Sequence, residues 1–215
     1  MNVHVLLNKR SSFNFMGNKK KIDSAGRLLN AAMKLFVRKG YKGSSVAEIT
    51  KGAGLTRGAL YCHFKTKEHL AREIIKLFEE KYLNSMIDYV GKEGRSASER
   101  FQKMMRFNVW FAGEHPDLCL FMTMISAEMC GSRNRLEPYL KSVYRKWNEF
   151  ITRILQEGKR TGEFKKEIDP QMMAWVIIGV HDGVLLQKEM NRETIDLRSY
   201  TRQFRNLVIS GVRSD

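Results

Sequence analysis

Between residues 44 and 70 the chain begins three helices in quick succession, and that spacing leaves few folds open. Ser45 and Glu48 have the separation of a capping box, in which hydroxyl and carboxylate each satisfy a backbone N–H left free by the first helical turn. Val46, Ile49 and Ala53 then supply an inward face about two turns long. Gly52-Ala53-Gly54 predicts a tight turn, Leu55 a core plug, and Thr56 the cap of a second short helix. On that helix Gly58 and Ala59 are small enough to approach a surface closely, while Leu60 and Phe64 are large enough to anchor it. Thr66 caps a third, longer helix. Helix, glycine turn, helix is the helix-turn-helix pattern, and residues 56–64 read as the element that meets DNA.

Three prolines in 215 residues, with apolar residues at helical spacing nearly throughout, predict an all-α chain. Over residues 23–39, Ala25, Leu28, Leu29, Ala32, Met33 and Phe36 form one stripe, with Arg27, Lys34 and Arg38 off it. Asp23 or Ser24 caps this helix, Gly40 ends it, and Tyr41 is expected to tuck under the core. The helix opened by Thr66 runs through Leu70, Ile74, Leu77 and Phe78 to about Tyr89 and links head to body. A break follows at 91–98. Five more helices are expected: 98–114, stopped by His115-Pro116; 117–130; one from Arg135 or Pro138 to about 160; one from Asp169-Pro170 to about 190; and 196–212. The domain plan is a basic tail at 1–21, a DNA-binding unit at 22–69, and a helical unit at 70–215.

Charge follows that plan. Residues 1–70 hold 14 lysines and arginines against 3 acidic residues, so most of the +15 net charge lies on the first third of the chain. A polyanion-binding module is charged in this way, and so is a solvated basic face with no partner. The tail at 1–21, ending in Lys19-Lys20-Lys21, is either a disordered leader or an arm adding phosphate contacts. Met16, followed by Gly-Asn-Lys-Lys-Lys, is an alternative start. The apolar run at residues 3–7 is too short for a signal-peptide core or a membrane span, so a cytoplasmic chain with no membrane partner is expected. Three cysteines without a CxxC pair predict no disulfide framework. His63 beside Cys62 lacks further ligands at usable spacing, so neither metal nor cofactor is expected.

The run Thr56-Arg57-Gly58-Ala59-Leu60-Tyr61-Cys62-His63-Phe64-Lys65-Thr66-Lys67-Glu68-His69-Leu70, preceded by Ser-Val-Ala-Glu-Ile and Ala-Gly-Leu, resembles the DNA-binding signature of TetR-family transcriptional regulators. The match covers about residues 24–75, with Cys62 a mild departure from the aromatic or polar residue familiar there. The resemblance implies that Ser45 bonds a phosphate and that Thr56, Arg57, Gly58 and Ala59 face the groove. Arg57 is the candidate base reader, because its fork matches the two acceptors of guanine. Tyr61, His63 and Lys67 match positions that touch backbone phosphates, while Leu60 and Phe64 are structural. The resemblance further implies an N-terminal three-helix helix-turn-helix DNA-binding domain and a C-terminal helical ligand-binding and dimerisation domain. With these come a homodimer joined through its last two helices, a near-palindromic double-stranded DNA operator, usually repressed, and a small-molecule inducer.

The body adds chemistry of its own. The methionines and aromatics of 101–130 suit either a core of adaptable side chains or a pocket for a small apolar or aromatic ligand. Trp110, Phe111, Met122, Ser126, Met129 and Trp147 are the candidate lining. Glu128 interrupts this apolar stretch and either meets a ligand's polar group or faces water. Residues 172–186 are apolar nearly all round, broken at His181-Asp182, which suits a helix at a subunit interface. Gly179 and Gly183 would let two such helices approach, with Trp175 and Leu186 beside them. His181-Asp182 has no paired nucleophile or metal ligands, so no enzyme activity is expected. The rival readings are a DNA-binding protein without an inducer, and an enzyme using the apolar cavity.

Overall fold

The computed structural model describes residues 23–91, 96–191 and 193–212. The tail expected at 1–21, the alternative start at Met16 and the middle of the 91–98 break lie outside the described residues. Helix α1 (Ser24–Lys39) starts at Asp23, whose Oδ1 accepts the Gly26 N–H at 2.8 Å, and stops at Gly40. The capping box of α2 (Val46–Ala53) is complete: the Glu48 N–H donates to Ser45 Oγ at 3.2 Å and the Ser45 N–H to Glu48 Oε2 at 3.0 Å. Gly54, left-handed at φ 63°, closes it as a side chain could not without strain. Helix α3 (Arg57–His63) is capped by Thr56 and α4 (Lys67–Phe78) by Thr66. These four helices close over Leu28, Ala32, Ile49, Leu60 and Leu70, all fully buried.

The single helix expected to about Tyr89 is built in three pieces. A π-helical segment, Glu79–Asn84, joins α4 to α5 (Ser85–Val90). Its physical reason is in the spacing. Phe78, Tyr82, Met86 and Val90 stand four apart, and each such step overshoots an α-helical turn by roughly 40°. One wider turn takes up the drift, and all four side chains stay buried.

The body holds the five helices read from the sequence: α6 (Ala97–Glu114), α7 (Pro116–Met129), α8 (Leu136–Thr161), α9 (Pro170–Met190) and α10 (Leu197–Val212). Proline opens α7 and α9, where its missing N–H costs nothing. Asp169 Oδ1 caps α9 by accepting from Gln171 and Met172 at 2.9 and 3.1 Å. Helix α9 lies along α8, α10 lies on α6, and α7 packs on α1 on one side and on α9 on another. One apolar cluster runs unbroken from Leu28 in the head to Val212 at the end of α10.

Gly158 on α8 marks a close approach within the body. A Cβ placed there lies 2.1 Å from Cδ2 of buried Phe164, the residue where the chain turns back after α8. Gly158→Ala therefore overpacks the site at a cost of about 1–3 kcal/mol, against at most ~1 kcal/mol gained in helix propensity. The expected result is a lower urea midpoint for the full chain. An equal or higher midpoint refutes the contact.

Candidate functional site

Helix α3 is short, and three devices hold it. Leu60 and Phe64 sink into the head core. Thr56 Oγ accepts the Ala59 N–H at 3.1 Å. The turn before it is held by Arg27 of α1, whose guanidinium donates to the carbonyls of Ala53 at 2.6 Å and Gly54 at 3.3 Å. Arg27 looks like a surface residue in the sequence because it stands off the apolar stripe. Its function in the turn depends on a partner 26 positions away.

With the inner side anchored, Thr56, Arg57, Gly58, Tyr61, Cys62 and His63 remain exposed, and Ala59 is half-buried. Tyr61 is 55% exposed, a large apolar surface for a side chain without work to do inside the head. His63 turns towards the start of α1, its Nε2 lying 2.5 Å from Ser24 Oγ. Ser45 and Lys67 stand on other elements, at the starts of α2 and α4. The Ser45 hydroxyl is committed to Glu48, and Lys39 pairs with the same carboxylate at 2.5 Å. Those bonds, Lys39 first and Ser45 next, hold the Glu48 carboxyl down at about 2. Lys67 points inward: Nζ donates to the carbonyls of Tyr41 and Ser44, both at 2.8 Å, and sits 4.4 Å above the Tyr41 ring. Burial lowers its pKa, with the charge of Glu128 opposing.

The body core carries a polar seam among aromatic rings. The Tyr82 hydroxyl donates to Asn108 Oδ1 at 3.0 Å. Its ring stacks on Phe78 at 4.7 Å and meets Phe111 and Trp147, each at 5.1 Å. Next to it, Tyr144 donates to Asp182 Oδ2 at 2.9 Å, and His181 Nδ1 lies 3.3 Å from Asp182 Oδ1. Burial, and after it the charge of Asp182, pushes up the ionisation of Tyr144 and of the Cys119 thiol. Of the six candidate lining residues, Phe111, Met122, Met129 and Trp147 are buried, while Trp110 and Ser126 are half-buried. None of the six lines either cavity described in this structure. One cavity, of about 40 Å³, lies between α6, α9 and α10 against Met105, Asn108, Ile177, His181 and Phe204. A pocket for a drug-sized ligand measures several hundred Å³, more than this cavity offers. Elsewhere in the body core Trp147 Nε1 is buried without an acceptor, an uncommon cost for a native core.

Helix α9 divides by face. Ala174, Ile177, Ile178 and Val184 are buried against the body. Trp175, Gly179, Gly183 and Leu186 share the opposite, exposed face with Met172, Val176 and Met190. A Cβ at Gly179 or Gly183 meets nothing within 4 Å among the described residues, so none of these requires glycine at either place. Among the described residues, no three His, Cys, Asp or Glu side chains gather as metal ligands would. None of the described helices is long and apolar enough to cross a membrane.

Comparison with known proteins gives the family. Residues 28–74 match the model for bacterial regulatory proteins of the tetR family, and residues 100–204 match that for the tetracyclin repressor-like C-terminal domain. The chain is similar to the fatty acid metabolism regulator protein of Bacillus subtilis, 27% identical over 193 residues that span 87% of this chain and 95% of that one. The crystal structure of the MbdR regulator from Azoarcus superposes with a TM-score of 0.80 at 23% identity, over 89% of this chain and 100% of that one. FadR from Bacillus subtilis in complex with stearoyl-CoA superposes at 0.71 with 25% identity, over 87% and 98%. One matched model falls on the reading head and the other on the body. The chain belongs to the TetR family and is a transcriptional regulator.

Proposed function

We propose that this regulator is a homodimeric repressor that reads a near-palindromic operator through α3 and releases it when a small apolar molecule enters the body. In this reading residues 22–69 bind DNA, residues 70–215 receive the effector and the second subunit, and the protein works in the cytoplasm without enzyme activity. The observation that carries it is the exposed surface of α3, which leaves Arg57, Gly58 and Tyr61 facing outward, beside the capping Thr56, on a helix anchored by Leu60 and Phe64. Arg57 reads a base edge, Tyr61 and His63 meet phosphates, and Ser45 offers the N-terminal end of α2 to the backbone. Lys67 uses two of its three donors on carbonyls, which leaves one for a phosphate beside the Tyr41 turn. Selection from random double-stranded DNA tests the reading: enrichment of a two-fold site with half-sites about one helical turn apart supports it, and no enrichment overturns it.

The effector side rests on composition, on the unpaired Trp147 donor and on relatives. A regulator named for fatty acid metabolism, and a homologous structure holding stearoyl-CoA, point to an apolar chain with a polar end as the first probe. The closed packing around Trp147 favours a second reading, a DNA-binding protein that needs no effector. Stabilisation by stearoyl-CoA or by an aromatic panel, together with operator release, supports the first. A panel without either effect supports the second.

Three outcomes are expected. Arg57→Ala weakens operator binding by about 1–3 kcal/mol and blurs base preference at one position of each half-site; an unchanged preference in competition binding removes Arg57 as reader. Lys67→Gln weakens all DNA sequences alike and lowers the slope of affinity against salt by about one ion; weaker binding with the full slope would leave Lys67 only its turn. Sedimentation gives a dimer at micromolar concentration, and Val176→Glu, set in the exposed apolar face of α9, gives a monomer with unchanged helicity. A monomeric parent chain refutes the interface.

A further inference from the structure

Helix α7 has two working sides. Towards the body it buries Cys119, Met122 and Met129. Towards the head, Phe121 meets Phe36 of α1 at 6.0 Å between ring centroids, and Phe36 meets Tyr41 at 5.4 Å. The apolar contact alone would let one helix slide on the other. Glu128, in the last turn of α7, adds a directional contact. Its Oε2 accepts the Tyr41 N–H and its Oε1 the Lys42 N–H, both at 2.6 Å. Lys67 takes the carbonyl of the same Tyr41. The turn after α1 is therefore gripped on its N–H side by a carboxylate of the body and on its carbonyl side by an ammonium of the head.

Two details suit a carboxylate at this place. It is an acceptor only, with an oxygen for each of two adjacent N–H groups, and bonds to an ionised acceptor are the strong kind. The chain also makes room for it: a Cβ at Gly40 would lie 3.1 Å from Glu128 Oε2, and Gly40 holds φ 76°. Neither alternative read from the sequence for Glu128, a ligand group or water, describes this position.

We propose that Glu128 is the positioning residue through which α7 sets the placement of the DNA-reading head on the body. A shift of α7 must then carry residues 40–45 with it or break two charge-assisted bonds, since packed elements move between discrete arrangements rather than deforming smoothly. The tether stands on its own geometry. Its use in effector response rests on the repressor reading above.

The test uses the full chain with Glu128→Gln, which keeps the shape but replaces one acceptor oxygen by an NH2 group facing a backbone donor. Amide exchange at Tyr41 and Lys42 is expected to speed up by roughly tenfold or more, while exchange within α8 stays as in the parent. Glu128→Asp, with both acceptors on a shorter stem, is expected to fall between them. The second measurement uses native thiols. Cys62 on α3 and Cys130 after α7 are exposed, whereas Cys119 is buried. Nitroxide labels on the two exposed sites, diluted with unlabelled protein, report head against body. The distance distribution is expected to be narrow in the parent and broadened in Glu128→Gln. Unchanged exchange overturns the tether. Faster exchange with an unchanged distribution reduces Glu128 to a local cap and overturns the positioning role. Neither measurement needs operator or effector, so failure here is distinct from failure of site selection.

Discussion

A helix of seven residues does not persist in water by itself, because its few internal hydrogen bonds do not offset the cost of nucleation. Everything α3 does depends on being held from outside. Leu60 and Phe64 supply the apolar grip, Thr56 satisfies a free N–H, and Arg27 closes the preceding turn by taking two of its carbonyls. A reading element made this way has its rigidity supplied by neighbours. That leaves Arg57 and Tyr61 facing outward, so a substitution at either need not cost the fold.

The same dependence ties the head to the rest of the molecule. Helix α1, which anchors α3 through Arg27, packs on α7, and α7 packs on α9. Among the described residues, a single apolar cluster passes through both parts. An apolar boundary holds two bodies together but fixes their register weakly, since hydrophobic attraction has no direction. Direction comes from the polar contacts set into it. Glu128 at the Tyr41 turn, and the Tyr82–Asn108 and Tyr144–Asp182 bonds deeper in, are the groups whose geometry has to be right. The π-helical segment at Glu79–Asn84 belongs with them, because it turns Tyr82 inward to reach Asn108.

Local signals were legible in the sequence and long-range ones were not. Capping residues, glycine ends and first-turn prolines act within four positions of themselves, so the order of the helices could be read from them, save where the one after Thr66 is divided. The π segment escaped because four-residue spacing over a few turns looks helical; only its accumulated drift departs from an α-helix. Lys67 reads as a phosphate clamp from its motif position, yet two of its donors serve carbonyls more than twenty positions earlier. Glu128 reads as an odd charge in an apolar run because its partners lie more than eighty positions away. Trp110, Phe111, Met122, Ser126, Met129 and Trp147 share an apolar character that fits core and pocket alike. Which of these a given arrangement is depends on volume, and volume is a property of packed neighbours.

By itself, then, the sequence determined an all-helical chain with a capped, basic reading head and an apolar body, because caps, turns and periodicity are short-range chemistry. Only the tertiary structure decided which charges hold the molecule together and which face outward. A carboxylate or an ammonium carries no mark of its partner until folding brings the two within hydrogen-bond reach.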